Sequence, residues 1–120
     1  MAKRPRKQSE KTLHYLCQQW LVRSGLWDRL LIFHVPNERQ GNAGAAMHFK
    51  RMGVRPGVAD YLMFRGPSRA AAIELKTEDG KQSAAQVAFQ RQWEHLGGFY
   101  FSVRSLEEFQ GIVNALAVFA

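Results

Sequence analysis

A glutamate and a lysine standing two residues apart inside an apolar run limit this chain more than any other feature. The run is Ala70-Ala71-Ala72-Ile73-Glu74-Leu75-Lys76. On a β-strand, residues two apart point to the same face, so Glu74 and Lys76 project together and Leu75 faces the other way. Asp60 stands fourteen residues before Glu74, at the start of a second apolar run that follows Gly57-Val58-Ala59. If the two runs are neighbouring strands, two carboxylates and one ammonium share a small volume. Carboxylates that close repel unless a cation lies between them. Oxygen ligands of this kind suit Mg2+ or Mn2+, and the lysine can handle a water or a developing negative charge. Metal-assisted hydrolysis of a phosphodiester fits that set.

The rest of the chain supplies a scaffold for such a pair of strands. Leu13, Leu16, Cys17, Trp20 and Leu21 recur at helical spacing and predict an amphipathic helix over 9–24, ended by Gly25, with Glu10 near its inward face. A short apolar strand over 30–35 stops at Pro36. Residues 42–52 are rich in alanine and read as a second helix, whose basic end, Lys50 and Arg51, suits the helix dipole. Strands follow over 58–64 and 69–76, joined by the turn Gly66-Pro67-Ser68, and then a polar loop over 77–82. Ser83-x-x-Gln86 is a capping box that opens a helix with Val87, Gln90, Trp93 and Leu96 along one side, ended by Gly97-Gly98. A strand over 99–103 precedes a second box, Ser105-x-x-Glu108, and a helix carrying Phe109, Ile112, Val113 and Leu116. The order is α-β-α-β-β-α-β-α. It describes one α/β domain with a small mixed sheet, because two strands share a tight turn and two are joined by a helix.

Charge suggests the partner. The chain has 17 basic and 10 acidic residues, a formal net charge of +7. Lys3, Arg4, Arg6 and Lys7 crowd into a basic arm over residues 1–8, and without them 13 basic residues face 10 acidic ones. The arm is either a solvated, flexible terminus or a phosphate-binding tail. The single cysteine, Cys17, lies on the apolar side of the first helix, so it reads as a buried, inert thiol and forms no intramolecular disulfide. That usage suits a reducing cytoplasm. No run approaches the roughly 18 apolar residues needed to span a bilayer, and the basic start lacks the apolar stretch of a secretory signal. His14, His34, His48 and His95 are scattered, and no two form an i, i+4 metal pair with an acid, which argues against a zinc site.

Several segments together carry a resemblance. They are Pro36-Asn37, Met52-Gly53-Val54-Arg55-Pro56-Gly57-Val58-Ala59-Asp60, Ile73-Glu74-Leu75-Lys76, Ser83-x-x-Gln86 and Gly97-Gly98-Phe99. In this order the chain, over residues 10–107, resembles the VRR-NUC family of the PD-(D/E)XK nuclease superfamily. One position departs from the pattern: Ala59 stands where a proline usually precedes the first acid, and Pro56 lies three residues earlier.

The resemblance implies a restriction-endonuclease-like core over 9–120 and a role for each matched residue. Asp60 and Glu74 would ligate Mg2+ or Mn2+, with the Leu75 backbone carbonyl as a further ligand. Lys76 would position or activate the attacking water. Glu10 would reach the metal directly or through water. Gln86 would hold Lys76 or a phosphate oxygen. Small stand-alone relatives of phage and bacterial type dimerise and cut branched DNA, including four-way (Holliday) junctions. A homodimer acting on branched DNA in DNA repair, without a small-molecule cofactor or a membrane, is therefore the expectation.

Each residue also has a plainer reading. Asp60 could cap a turn, and Glu74 could form a structural ion pair with Lys76. Glu10 suits a helix N-terminus by charge alone. Gln86 has its capping-box role, and serving both roles would need its side chain to bend two ways. Asn37 and Glu38 line a substrate groove or belong to a loop. Lys50, Arg51 and Arg55 contact phosphates or are a solvated helix end. Trp20, Trp27 and Trp93 read as core rather than as base-stacking platforms, and His34 as a strand surface residue. The leading expectation is a metal-dependent DNA endonuclease. The alternative is a non-catalytic nucleic-acid-binding or assembly protein on a nuclease fold.

Overall fold

Ser9 opens the first helix by accepting a hydrogen bond from the Thr12 N–H, and the left-handed Gly25 (φ 80°) follows its end. The computed structural model describes residues 8–36, 43–66 and 69–118. Within them run α1 (Glu10–Arg23), α2 (Leu26–Arg29), β1 (Leu31–His34), α3 (Ala43–Arg51), β2 (Tyr61–Arg65), β3 (Arg69–Leu75), α4 (Ala84–His95), β4 (Phe99–Val103) and α5 (Leu106–Ala117). The mixed α/β architecture expected from the sequence is present, with one addition: the single turn α2, which buries Leu26. The basic arm through Lys7, and Asn37, Glu38, Pro67 and Ser68, lie outside the described residues.

The four strands lie in the order β1-β2-β3-β4. β1 and β2 pair antiparallel, as do β2 and β3, with Tyr61 opposite Ile73. β3 and β4 pair parallel, with Ile73 beside Phe101, and α4 makes the crossover that parallel neighbours require. Alternation then sorts the side chains. Tyr61, Met63, Ala71, Ile73, Leu75 and Val103 face the core, where Leu13, Cys17 and Leu21 of α1 and Phe109 and Val113 of α5 close over them. The Tyr61 hydroxyl is satisfied inside this layer by donating to Gln18 Oε1 at 2.7 Å. Leu62, Ala72, Glu74 and Tyr100 face the other way.

α4 leans against β4 and buries none of its residues completely. Leu96, on the same side as Val87, Gln90 and Trp93 by its spacing, is 77% exposed. The helical period marks which residues share a side, and the narrow contact with β4 leaves the last turn uncovered. α3 packs against no other described element; its Met47 and Phe49, and Met52 just after it, are exposed. Among the described residues, no helix is long and apolar enough to cross a membrane.

The second strand begins at Tyr61, three residues later than its apolar run suggests. The reason lies in Asp60. The Leu75 N–H donates to Asp60 Oδ2 at 2.7 Å, so a side chain takes the place of a ladder carbonyl and ends the β2–β3 pairing. On its other side the Asp60 carbonyl still accepts from the Val35 N–H at 2.8 Å.

Candidate active site

Glu74 and Lys76 project together from the end of β3, as their two-residue spacing requires. Glu74 is fully buried and Lys76 is 6% exposed. The antiparallel register, extended by one residue beyond Tyr61 and Ile73, sets Asp60 opposite Glu74. The Asp60 carboxylate is anchored on the Leu75 N–H between them. Burial is the main force raising the Asp60 pKa above its ordinary value. The Leu75 hydrogen bond and His34 oppose the rise, while Glu10 and Glu74 add to it.

Lys76 joins the groups. Its Nζ donates to Gln86 Oε1 at 2.8 Å and lies 3.8 Å from Glu74 Oε1 and 3.9 Å from Glu10 Oε1. Glu10, in the first turn of α1, is thus brought to the lysine from the solvent side; its side chain is 52% exposed. Gln86 corrects an expectation drawn from the sequence. Its Oε1 accepts from Lys76 Nζ and from the Ser83 N–H, each at 2.8 Å, while its backbone N–H donates to Ser83 Oγ. An amide oxygen has two lone pairs, so one orientation serves both the capping box and the lysine without any second bend.

Two features place α4 where Gln86 can do this. Gly57 has φ 82°, and a Cβ there would lie 2.3 Å from the Ala85 carbonyl oxygen. Only glycine lets the chain leading to Asp60 lie so close against the first turn of α4. On the far side, the Arg104 guanidinium donates to the carbonyls of Thr77, Glu78 and Gly80, which holds the loop between Lys76 and α4.

Other residues at the site were not marked by the sequence. Gln82 Nε2 donates to Glu74 Oε2 at 3.1 Å and to Gln90 Oε1 at 2.8 Å, and lies 3.3 Å from the Tyr100 hydroxyl. Burial first, then the Glu74 carboxylate, pushes the Tyr100 phenol far above its usual range, so it stays protonated. His34 is half-buried rather than a surface residue. Its Nδ1 lies 2.7 Å from the Asp60 carbonyl, and because a carbonyl only accepts, that nitrogen carries the proton. The His14 ring stands 4.2 Å from it, centroid to centroid. A signal for Gln82 is visible in hindsight: glutamines recur every four residues at 82, 86 and 90.

The basic residues are more dispersed. Lys50 and Arg51 are exposed in the last turn of α3. Among the described residues no hydrogen bond or ion pair joins these two to the acids or to Lys76. Arg55 lies over the outer side of α4, beside Phe89, Trp93 and Leu96. Trp93 is half-buried and donates its indole N–H to the Phe99 carbonyl at 2.7 Å.

The donor set fits a hard divalent cation. Glu74 Oε1 is buried and has no hydrogen-bond partner, an expensive state for a carboxylate oxygen. The Asp60 carboxylate is near enough to interact with Glu74 electrostatically, and carboxylate oxygens are ligands that Mg2+ and Mn2+ take. Among the described residues no three His, Cys, Asp or Glu side chains form a metal-holding group.

No family model and no curated protein matches the sequence. A solved structure described as a "VRR_NUC domain protein" does match, with a TM-score of 0.77 over 96% of this chain and 93% of that one, at 18% identity. The chain therefore shares the α/β fold of that structure. Its fold is the VRR-NUC fold, which the sequence motifs resemble.

Proposed function

We propose that the chain is a VRR-NUC nuclease, a divalent-metal-dependent DNA endonuclease. The observation that carries this reading is the orphaned, fully buried Glu74 Oε1 beside Asp60 and Lys76. Lys76 Nζ pairs with that oxygen only at 3.8 Å, too far for the hydrogen bond that a closed ion pair would make.

In this reading Asp60, Glu74 and the Leu75 carbonyl hold Mg2+ or Mn2+, with Glu10 contributing through water. When bound, the ion supplies Lewis-acid polarisation of the phosphodiester and a water of lowered pKa. Lys76, aimed by Gln86, donates hydrogen bonds to the attacking water and offsets charge that develops on the phosphate. Gln86 keeps the ammonium from collapsing onto Glu74. Burial of the acids keeps bulk water from competing for them.

The substrate is DNA, read by shape, because none of the described elements offers a base-reading helix. Lys50, Arg51, Arg55, Asn37 and the arm residues Lys3, Arg4, Arg6 and Lys7 contact its backbone. A four-way junction or a flap presents two strands to cut, which a two-fold homodimer matches. The exposed Met47 and Phe49 of α3 and Met52 just after it, with no other described element packed on that helix, support a second copy as its cover. The enzyme would act in the cytoplasm of a bacterial or phage-infected cell. The deciding experiment incubates the protein with duplex, flap, fork and four-way DNA in Mg2+ or Mn2+, alongside light scattering. Cleavage of the branched substrates by a dimer is expected. No cleavage of any of them would overturn the reading.

A further inference from the structure

Glu74 has two carboxylate oxygens in unlike surroundings. Oε2 accepts from Gln82 Nε2 at 3.1 Å, whereas Oε1 has no hydrogen-bond partner. A free glutamate beside a lysine would rotate to share its charge. This one does not, although Lys76 Nζ lies only 3.8 Å from Oε1. Something must hold each partner of the buried pair.

Lys76 is held by Gln86. Glu74 is held by Gln82, with the Tyr100 hydroxyl beside it as a second partner of the carboxylate, and Gln82 is itself fixed. Its Nε2 carries two hydrogens and faces three oxygens: Glu74 Oε2, Gln90 Oε1 at 2.8 Å and the Tyr100 hydroxyl at 3.3 Å. The carboxylate accepts only, so the NH2 end of the amide must be the end that faces it. Gln90 sits on α4 and Tyr100 on β4, two elements packed on each other. Turning the Gln82 amide away would forfeit the bond to Gln90 on α4 and the close approach to Tyr100 on β4.

We infer that Gln82 is a positioning residue that holds Glu74 by Oε2, keeps the Glu74–Lys76 pair open and leaves Oε1 for an incoming divalent cation. This rests on the metal-dependent reading above for the identity of what Oε1 receives, but not for the opening of the pair. Gln82 touches neither substrate nor ion; it acts through Glu74. Residues that orient a metal ligand in this way commonly change metal affinity by about ten- to a hundredfold when replaced.

The test compares the full-length protein with Gln82→Met, which keeps the side chain's length and removes the donor. Mn2+ binding is followed by calorimetry and the Glu74–Lys76 separation by crystallography, both with thermal melting in chelator as a check of folding. The expected result is a Gln82→Met protein that melts close to the parent, binds Mn2+ about ten- to a hundredfold more weakly, and closes Glu74 Oε1 onto Lys76 Nζ to about 2.8 Å. An unchanged affinity with an open pair would overturn the inference. A parent protein that takes up no Mn2+ would sink the nuclease reading alone, and closure of the pair in Gln82→Met would still decide the role of Gln82. If Gln82→Met does not fold, Gln90→Met, which removes the anchor of the Gln82 amide, is measured in its place. The same closure and loss are expected from it, and their absence counts equally against the inference.

Discussion

One oxygen of Gln86 serves two donors: Lys76 Nζ and the Ser83 backbone N–H each lie 2.8 Å from it. The start of α4 and the orientation of the lysine are therefore set by the same atom. A helix cap has become part of the site, and helix stability and lysine geometry can be separated only by mutation.

Ser83→Ala and Gln86→Ala make that separation. Both weaken the capping box, at a cost of about 1 kcal/mol, and both should lower the melting temperature by a few degrees. Only Gln86→Ala releases Lys76. Cleavage should fall at least about tenfold for Gln86→Ala and stay within about twofold for Ser83→Ala, in steady-state assays of both variants; a tenfold rate is about 1.4 kcal/mol in the barrier. Equal activity losses would mean that the lysine contact is incidental.

Asp60→Asn keeps an oxygen for the Leu75 N–H and removes a charge that burial disfavours. In chelator the variant should melt higher than the parent. Added Mn2+ should raise the parent's melting temperature and leave the variant's unchanged, because binding to the folded state is what stabilises. Cleavage should be abolished while DNA binding persists. Near-parental cutting by Asp60→Asn would exclude Asp60 as a ligand.

Cys17 is fully buried, and burial, followed by the nearby Asp60 charge, pushes its thiol up to about 12. Its folded value is raised, so the stability it contributes is whole below its ordinary value of 9.0 and is lost as pH rises through about 12. At about pH 8 a thiol reagent should modify the folded protein only at the rate of unfolding, and should react at once in denaturant. Fast labelling of the native protein would contradict the buried α1 packing.

Gly57 and Gly25 both have positive φ, 82° and 80°, but only Gly57 meets backbone where a Cβ would stand. Gly25→Ala should cost about 1–2 kcal/mol, the strain of the left-handed conformation alone. Gly57→Ala adds a clash with the Ala85 carbonyl and should cost more than Gly25→Ala, roughly 3 kcal/mol or above. It should also lower activity by shifting Asp60 relative to Gln86. Chemical denaturation of the two variants checks the ranking.

Deleting residues 1–7 removes four basic side chains. If the arm neutralises phosphates, the slope of log affinity against log salt should flatten by up to about three to four units. An unchanged slope would make the arm a solvated terminus.

Much of the architecture is written locally. The 3.6-residue period of Leu13, Cys17 and Leu21, the two Ser caps before α4 and α5, and the alternation through Ile73-Glu74-Leu75-Lys76 each depend on neighbours in the chain. So does the shared face of Glu74 and Lys76, which needs nothing more than an extended backbone. The motif around Asp60 was likewise legible, because its residues are adjacent. Leu96 shows where such reading stops, since a helical period cannot say how far a neighbouring strand extends. Gln82 shows it more sharply. Its amide matters only because Glu74, Gln90 and Tyr100 arrive from three different elements, and hydrogen-bond geometry falls off within tenths of an ångström. The chain by itself determined which residues could face one another across a strand or a helix turn. Tertiary packing alone decided which oxygen of Glu74 is held and which is left open, because that depends on distances between groups that no local period connects.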